Sequence, residues 1–448
     1  MRTVLANKKA RTLTFTLIAL ALTGVVVASQ FGNHTSAVGD SSIQDRAHRS
    51  PPTISRTSTT AASTPTGAGT YFDHILIVVM EDHGLIDICA RNPPPCLSTS
   101  GDPYVAGLAN TYGIGSHYTG VSHFSQADYV ALLGGDTYGC VGYPCTPSAH
   151  VNLVDSLEAA GLTWRGYMEN QAVATGCDTN YNQPYTPEHN PFVFFTDITS
   201  SATRCSKVVL ANPSGCVVTD CTLLNDLNSG SAPNFMWLTP NNCDNMHGYT
   251  NGCSASIPFG DAYLSSLVPN ILNSTTFTTQ RAALFVVFDE GNGYCPLNNS
   301  SEDCVYAVWA GRGTKNSLVT TNPYSHYSFT RTVETNWNLP SLSTNDATAT
   351  PMTEFFTYTP PSVSFTYTPA NPGPLQTVQF TATATGGIQP YTYAWDFGDG
   401  STASGPTTSH SYTLPGTYTV TIIVKDGVGQ NASMSKTVTV SIVLPPIP

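Results

Sequence analysis

The sequence has little charge, and most of the charge that it has is negative. Charged residues make up 10% of the 448 residues, with 29 Asp and Glu against 17 Lys and Arg, and the formal net charge is −12. Nucleic-acid binding depends on Lys and Arg contacts to phosphates, so this composition argues against a nucleic-acid partner. It does not exclude a phosphate-bearing substrate, because a bound metal ion can supply the local positive charge.

Long apolar runs are also missing, except at the N-terminus. Residues 12–28 carry no charge and follow four basic residues, Arg2, Lys8, Lys9 and Arg11. A basic stretch before a short apolar run that ends in small residues is typical of an export signal. We therefore predict a signal peptide over residues 1–28, with an uncleaved signal anchor as the alternative. In both cases the rest of the chain is expected to be secreted or extracellular, and an uncleaved anchor would attach it to the cell surface.

Cysteine is absent from the last third of the chain, and all 12 cysteines lie between Cys89 and Cys304. An even number in an exported chain favours disulfides over a thiol metal site, and no Cys-x-x-Cys pair supports the metal alternative. The count does not determine the connectivity. We predict nearest-neighbour pairing, which gives Cys89–Cys96, Cys140–Cys145, Cys177–Cys205, Cys216–Cys221, Cys243–Cys253 and Cys295–Cys304.

Composition changes along the chain indicate two domains after a stalk. Residues 29–70 are rich in Ser, Thr, Pro and Gly and predict a disordered, glycosylated stalk. We predict a catalytic domain over residues 71–358, a short linker (TYTPP) and a second domain over residues 362–443. Sequons that fit a glycoprotein occur at Asn33, Asn273, Asn298, Asn299 and Asn431.

The first domain has the pattern of an α/β sheet. HILIVVM (residues 74–80) and ALFVVF (residues 283–288) are continuous apolar runs, which suit strands buried on both faces. NFMWL (residues 234–238) and VYAVWA (residues 305–310) are weaker strand candidates, and residues 151–160 and 328–337 are helix candidates. Strands that alternate with helices predict a mainly parallel sheet between helices.

Adjacent acids follow both of the strongest strands. Glu81 and Asp82 come directly after the first strand, and Asp289 and Glu290 come after the second. Sites in open α/β sheets form at the carboxyl ends of strands, where four converging carboxylates repel one another unless a cation lies between them. Oxygen ligands of this kind suit a divalent metal of unknown identity. The alternative is that each acid is simply solvated at its strand end, and two such pairs in a charge-poor chain favour the metal.

Other candidate residues are weak when each is taken alone. Ser125 lies in HFSQADY before an apolar run, where it either caps a helix or acts as a nucleophile at an anion-binding helix N-terminus. His247 follows the candidate strand NFMWL, and His326 precedes a helix candidate. A histidine in either position can bind a metal or a phosphoryl oxygen, but a single histidine is more often structural.

Several segments together resemble the phosphoesterase family that contains bacterial acid phosphatases and phospholipases C. HILIVVMEDHGLID resembles the opening motif of that family. The matching segments that follow, in the family's order, are GVSHFSQADYVALLGGDTYG, TWRGYMEN, NPFVFF, NFMWLTPNNCDNMH, VVFDEG and YSHYSFTRTVE. The resemblance covers about residues 71–340.

The resemblance implies an alkaline-phosphatase-like α/β/α sandwich and one or two divalent metal ions in the site. It implies metal ligands at Glu81, Asp82, Asp289 and Glu290, with Ser125 completing the shell and attacking phosphorus to form a phosphoserine. The remaining roles that it implies are catalytic for His247 and His326, and substrate-binding for His123, Asp128 and Asp244.

This sequence departs from the family pattern near the expected site. Asp82 and Asp128 stand where the family has Asn, and Phe124 and Ala127 replace prolines. The order Asp-Asn-Met-His at residues 244–247 is also permuted. We expect these changes to affect substrate choice and turnover more than the fold. A low working pH would reduce the repulsion between the Asp128 carboxylate and a phosphate.

The C-terminal region is similar to a PKD domain, an all-β immunoglobulin-like sandwich. The resemblance rests on YAWDFGDG (residues 393–400) and HSYTLPGTYTVTIIVKDG (residues 410–427). It implies that Trp395 packs between the two sheets. Asp396 and Asp399 can bind calcium, although local turn hydrogen bonds are the favoured role. We expect a spacer or adhesive module whose partner is a cell-surface glycan or protein.

Three functions are consistent with these features. The favoured one is an acid-phosphatase-like phosphomonoesterase that acts on a phosphate-ester substrate. The first alternative is a phospholipase C or another phosphodiesterase of the same family. The second is a cell-surface adhesion protein whose phosphatase-like domain has lost its activity. Retention of Ser125 and of all four strand-end acids argues against that second alternative.

Overall fold

A computed structural model describes residues 67–90, 94–97, 102–291, 295 and 303–442. The predicted signal peptide, nearly all of the predicted stalk and the sequons at Asn33, Asn298 and Asn299 lie outside these residues. Among the helices of the described part of the chain, none is long and apolar enough to cross a membrane.

The first domain is built on an eight-stranded sheet in the order β5-β4-β6-β1-β7-β8-β2-β9. Its strands are β1 (His74–Met80), β2 (Gly113–Gly115), β4 (Trp164–Met168), β5 (Val208–Leu210), β6 (Phe235–Thr239), β7 (Ala282–Phe288), β8 (Ala307–Gly311) and β9 (Val319–Thr320). A separate two-stranded ladder pairs β3 (Tyr118–Thr119) with β10 (Tyr324–Ser325). The five strands from β5 to β7 are parallel, whereas β8 runs antiparallel to β7.

Eleven helices connect or cover these strands in the described residues. They are α1 (Leu85–Cys89), α2 (Pro103–Thr111), α3 (Ser125–Gly134), α4 (Leu153–Ala159), α5 (Thr196–Thr199), α6 (Ala202–Cys205), α7 (Cys221–Asn228), α8 (Ile257–Leu272), α9 (Thr275–Thr279), α10 (His326–Trp337) and α11 (Thr344–Thr348). Single 3₁₀ turns occur at Pro187–His189, Pro191–Val193 and Thr353–Phe355.

The α/β prediction is confirmed, and local signals explain where the elements begin and end. Every residue of β1 and of β7 is buried, as expected for central strands covered on both faces. Helix α4 begins after Asn152, whose side chain accepts the N–H of Val154 at 3.0 Å, and it ends before Gly161, whose φ of +74° favours glycine.

The second domain is an all-β sandwich with its own hydrophobic core. Its strands are β11 (Ser362–Thr368), β12 (Thr377–Thr385), β13 (Thr392–Asp396), β14 (Thr402–Ser404), β15 (Thr407–Ser411), β16 (Gly416–Lys425) and β17 (Asn431–Val440). They form one three-stranded and one four-stranded sheet. Trp395 lies in the core, with its ring 5.2 Å from the ring of Phe365 and 5.6 Å from that of Phe380.

Two further expectations agree with the structure. All six nearest-neighbour disulfides are present, and the described residues contain no free cysteine. In the second domain the carboxylates of Asp396 and Asp399 accept the N–H groups of Gly398 and Ser401 at 2.8 and 3.0 Å. These contacts match the turn-forming role that was favoured over calcium binding.

Candidate active site

Strand register brings the two acidic pairs to one edge of the sheet. Strands β1 and β7 are parallel neighbours, and Met80 pairs with Phe288 at the end of the ladder. The next residues are therefore Glu81 and Asp289, and both are fully buried. The sequence places acids after each strand, and the register places them side by side.

Three carboxylates converge tightly enough to share a cation. One oxygen from each of Glu81, Asp82 and Asp289 lies within 4.8 Å of the others. Asp82 adopts a left-handed backbone conformation with φ of +58°, which Asn and Asp tolerate better than most side chains. Its N–H donates to Asp289 Oδ1 at 3.1 Å, and this bond fixes the strand ends to each other.

Several oxygen atoms of this triad have no hydrogen-bond partner among the described residues. Both carboxylate oxygens of Glu81 and Oδ2 of Asp289 are buried, and no hydrogen-bond donor in the described residues satisfies them. Burial raises the pKa of Glu81 well above its usual value, and the charges of Asp289 and Asp82 raise it further. Burial likewise raises the pKa of Asp289, with Asp82 and Glu290 adding repulsion. A divalent cation with oxygen ligands would satisfy these oxygens and cancel the repulsion.

The predicted nucleophile lies beside this triad at a helix N-terminus. Ser125 is the first residue of α3, and its hydroxyl donates to Glu290 Oε1 at 3.2 Å. The N–H groups of Ala127 and Asp128 donate to the carbonyl of Phe124, and no side chain caps the earlier N–H groups of Ser125 and Gln126. A helix N-terminus favours an anion, and these N–H groups can therefore receive phosphoryl oxygens.

Glu290 contacts Ser125 and a histidine. Besides Ser125, the carboxylate of Glu290 lies 3.4 Å from Nδ1 of His123, which also approaches Asp303 at 3.6 Å. The side chain of His123 is 55% exposed, and so it lies at the mouth of the site. Burial raises the pKa of Glu290 to about 7, with repulsion from Asp128 and Asp82.

Two histidines lie close to the triad, and only one was predicted. His247 is partly exposed, with Nε2 3.8 Å from Asp82 Oδ2 and Nδ1 2.7 Å from the carbonyl of Gly248. His189 is buried, and its Nε2 lies 3.4 Å from Glu81 Oε2. Burial lowers the pKa of His189 well below its usual value, and the neighbouring His247 lowers it further.

His189 was missed because its local sequence carries no catalytic pattern. It lies in TPEHNPFVFF, where the 3₁₀ turn Pro187–His189 ends just before the segment that resembles the family. The ring of Tyr129 stacks on it at 5.3 Å, and Tyr129 comes from α3. The contacts of His189 with Tyr129 and Glu81, both distant in the chain, reveal its position at the site.

His326 and Asp128 lie beneath the site rather than at its mouth. Both side chains are fully buried, with His326 Nε2 3.3 Å from Asp128 Oδ1 and 2.6 Å from the carbonyl of Asp289. Nδ1 of His326 is 3.0 Å from the hydroxyl of Tyr118, so both ring nitrogens contact protein atoms. Asp128 Oδ1 also accepts the N–H groups of Val121 and Ser122, in the loop that leads to Ser125.

Asp244 belongs to a different acidic cluster from the triad. Nδ2 of Asn241 donates both to Asp244 Oδ2 at 2.7 Å and to Glu169 Oε2 at 2.9 Å, so these two carboxylates converge. Burial raises the pKa of Glu169 well above its usual value, with Asp220 and Asp244 adding repulsion. Asp220 accepts a short hydrogen bond from Tyr263, and burial raises its pKa to about 6.

Comparison with known proteins gives matches for both domains. A model of the Phosphoesterase family matches residues 97–340, and a PKD domain model matches residues 358–442. The phosphate-repressible acid phosphatase of Penicillium chrysogenum is 28% identical over 244 residues, which are 52% of this chain and 54% of that protein. The phosphatidylinositol-3-phosphatase of Mycobacterium tuberculosis is 26% identical over 349 residues, 77% of this chain and 96% of that protein.

The chain thus spans about half the length of the fungal acid phosphatases that it matches. Among solved structures, a protein in the alkaline phosphatase superfamily from Vibrio parahaemolyticus matches 61% of this chain and 67% of its own. That match has a TM-score of 0.40 and 13% sequence identity.

Proposed function

The chain belongs to the Phosphoesterase family, and from that premise we propose that it is a secreted, metal-dependent phosphomonoesterase of the acid-phosphatase type. The observation that carries the proposal is the position of Ser125. Ser125 is the first residue of α3, and its hydroxyl donates to Glu290. The residue lies beside three converging carboxylates. This arrangement combines a nucleophile, a proton acceptor and an anion-binding helix end.

Glu81, Asp82 and Asp289 would hold the metal, with Ser125 and Glu290 beside them. A bound divalent ion would polarise the phosphoryl oxygens and lower the pKa of the serine hydroxyl. The fit rests on the buried triad oxygens that no donor satisfies.

The first step transfers the phosphoryl group to the serine. Ser125 Oγ attacks phosphorus in line, the bond to the leaving oxygen breaks, and the serine proton passes to Glu290 Oε1. His247, when charged, holds Nδ1–H on the carbonyl of Gly248 and offers its Nε2 proton to the leaving oxygen. The products of this half-reaction are an alcohol and a phosphoserine.

The second step releases phosphate. Water attacks phosphorus and gives a proton to Nε2 of His247, while the bond between phosphorus and Ser125 Oγ breaks. Ser125 then recovers its proton from Glu290. The sum of the two steps is hydrolysis of one ester by one water molecule.

In this mechanism His326 and Asp128 are positioning residues. His326 contacts the carbonyl of Asp289, and Asp128 holds the loop before Ser125. The contact between the two side chains therefore fixes the nucleophile relative to the strand end that carries Asp289. His123 is exposed at the mouth, where it can meet a phosphoryl oxygen or the leaving group.

Secretion and a surface partner are further parts of the proposal. Six disulfides in the described residues are typical of an oxidising, extracytoplasmic compartment. The PKD domain has the architecture of a spacer or binding module, and its proposed partner is a cell-surface glycan or protein.

The test measures hydrolysis by the full-length protein and by its Ser125→Ala variant. p-Nitrophenyl phosphate and bis(p-nitrophenyl) phosphate would be compared from acidic to neutral pH, with added divalent metals and with a chelator. We expect monoester hydrolysis that the chelator stops and that Ser125→Ala abolishes. In an acid-quenched reaction, mass spectrometry should find a phosphoryl group on the peptide that contains Ser125.

Ser201→Ala is the matched control, because Ser201 also lies at a helix start, that of α6, but has no part in the site. It should keep wild-type activity. A preference for the diester would assign the protein to the phosphodiesterases. Failure of the folded wild-type protein to hydrolyse either ester with any metal would contradict the proposal and favour the adhesion function.

A further inference from the structure

Three aromatic side chains near the candidate site are exposed to solvent. The exposed fractions are 49% for Phe124, 41% for Tyr143 and 53% for Tyr181. Single exposed apolar residues are common on protein surfaces, but a group of aromatics at one cleft is typical of a binding site. Whether these side chains can bind a substrate therefore depends on their position relative to Ser125.

Phe124 and Tyr143 are held at the start of the nucleophile helix. Phe124 directly precedes Ser125, and its carbonyl accepts the N–H of Ala127 at 2.8 Å. The side chain of Gln126 accepts the N–H of Cys145 at 2.7 Å, which fixes the loop that contains Tyr143 against the same helix turn. Tyr143 is two residues from that contact, so its Cα lies within about 8 Å of the Cα of Cys145.

Tyr181 connects this loop to the segment that carries His189. Its ring lies edge-on to the ring of Tyr143, with centroids 5.5 Å apart. Its hydroxyl donates to Glu188 at 2.7 Å, and the next residue, His189, contacts Glu81 at 3.4 Å. The two tyrosines therefore lie between the loop that is held against the first turn of α3 and the segment that brings His189 to Glu81.

No Lys or Arg among the described residues lies at this edge of the sheet. The described Lys and Arg of the first domain are Arg165, Arg204, Lys207, Arg281, Arg312, Lys315 and Arg331. The first four lie within or before parallel strands, near their amino ends, and Arg312 and Lys315 follow the antiparallel strand β8. These six are thus at the opposite edge of the sheet, and Arg331 contacts Glu334 and Ser341 within and after α10.

From these observations we propose that Phe124, Tyr143 and Tyr181 form an aromatic wall, which binds a planar aromatic leaving group of a phosphate monoester. The inference rests on the proposed function and adds the substrate class to it. A leaving group with further phosphates would meet acids and aromatic rings, with no Lys or Arg in the described residues to pair with the added charges. A planar aromatic ring would instead stack on exposed rings that are already held in place by the contacts of Gln126 and Glu188.

The test uses binding of phosphonates, because their P–C bond is not hydrolysed and leaving-group reactivity does not affect the result. Phenylphosphonate and cyclohexylphosphonate would be titrated by calorimetry into the full-length protein, loaded with the divalent metal that supports hydrolysis. Phenylphosphonate should bind more tightly than cyclohexylphosphonate. Tyr181→Ala and Tyr143→Ala/Tyr181→Ala should each weaken phenylphosphonate binding by about threefold to tenfold.

Two control variants test whether the aromatic rings themselves determine phenylphosphonate binding. Tyr181→Phe keeps the ring and loses the bond to Glu188, so it should retain most of the preference for phenylphosphonate. Leu414→Ala removes an exposed apolar side chain from the second domain and should change neither affinity. Variants that bind cyclohexylphosphonate with wild-type affinity show that the site itself is intact.

The two proposals fail in different ways. Hydrolysis that depends on Ser125, together with equal binding of the two phosphonates or no change in the tyrosine variants, would overturn the wall alone. A lower KM for the hydrolysis of ATP or inositol hexakisphosphate than for that of phenyl phosphate would also overturn it. Absence of hydrolysis by the wild-type protein would contradict the proposed function and the wall together.

Discussion

The two edges of the parallel sheet carry different arrangements of charge. At the carboxyl edge, Glu81, Asp82 and Asp289 converge with no Lys or Arg beside them in the described residues. At the amino edge, Arg204 contacts Asp155, Glu158 and Asp197, and Arg281 contacts Asp73. The amino edge therefore satisfies its charges within the protein, whereas the carboxyl edge leaves acidic oxygens without a hydrogen-bond partner in the described residues.

The amino edge is therefore expected to contribute to stability, and the carboxyl edge to function. Paired charges with several hydrogen bonds hold distant segments together, as Arg204 does for α4, α5 and α6. Buried acids without a cation cost stability, and functional sites commonly carry such a cost. Substitutions at the two edges should therefore have opposite effects on activity and on the free energy of unfolding.

The largest effect on activity is expected at Asp289. Asp289→Asn removes one charge from the triad and should lower kcat/KM by at least about 10²-fold, because it weakens the proposed metal site. The melting temperature in the presence of a chelator should not fall, since the substitution removes a buried, repelled carboxylate. Steady-state kinetics and calorimetric melting measure the two effects. Activity close to wild type would show that the triad does not serve the reaction.

The largest effect on stability is expected at Arg204. Arg204→Met leaves three acids at the amino edge without their shared partner and should lower the free energy of unfolding by about 2 kcal/mol. Turnover by the folded variant should stay within about twofold of wild type. Arg312→Met is the control, because Arg312 is exposed and donates only to the carbonyl of Thr278 among the contacts described. Equal melting temperatures for the two variants would contradict the importance of the Arg204 network.

A carboxyl pair away from both edges should make stability depend on pH. Glu334 is fully buried in α10, and both its Oε1 and Asp346 Oδ2 accept the N–H of Leu342, at 3.2 and 2.8 Å. Burial raises the pKa of Glu334 to about 9, with Asp346 adding to the shift and the guanidinium of Arg331, 3.2 Å away, opposing it. The folded protein thus holds this proton more tightly than the unfolded chain, whose Glu pKa is about 4.3.

The sign of the pH dependence follows from that shift. The stabilisation is complete below the pKa of the unfolded chain and is lost as pH rises toward about 9. Glu334→Gln keeps the neutral shape of the side chain, so its melting temperature should gain on the wild type as pH rises. Melting curves from acidic to alkaline pH test this expectation. Parallel curves for the two proteins would rule out a protonated Glu334.

The smallest effect is expected at Lys207. Its ammonium group lies 2.7 Å from Glu158 and 5.1 Å from the ring centre of Trp164, but the side chain is partly exposed. Lys207→Met should lower the free energy of unfolding by about 0.5 kcal/mol at low ionic strength, and less in high salt. Denaturant titrations at two salt concentrations measure it. If Lys207→Met lowered the free energy of unfolding as much as Arg204→Met, the more exposed ion pair of Lys207 would contribute as much to stability as the ion pairs of Arg204.

Much of the fold was predictable because local sequence determines it. HILIVVM forms β1 at its predicted bounds, and β6, β7 and β8 differ from the predicted strands by one or two residues. The disulfides follow the nearest-neighbour pairing that the sequence suggested. The antiparallel direction of β8 was not predictable, since a buried apolar strand has the same pattern in either direction.

The site was predictable only in part. The strand-end acids and Ser125 were named from the sequence, and the structure brings them together. The sequence also suggested a direct role for His326, but its two ring nitrogens contact Asp289 and Tyr118 in the structure. His189 was not predicted, because it lies in a 3₁₀ turn that is distant in the sequence from β1 and β7 and comes close to Glu81 only in the folded protein.

The sequence by itself determined the two-domain plan, the buried strands and the identity of the acids, because apolar runs and adjacent carboxylates are local features. Only the tertiary structure decided which acids converge at the end of β1 and β7 and which form a separate cluster, as Asp244 does with Glu169. Strand register and helix placement set those distances. They depend on packing between segments that are more than 200 residues apart in the chain, such as β1 and β7.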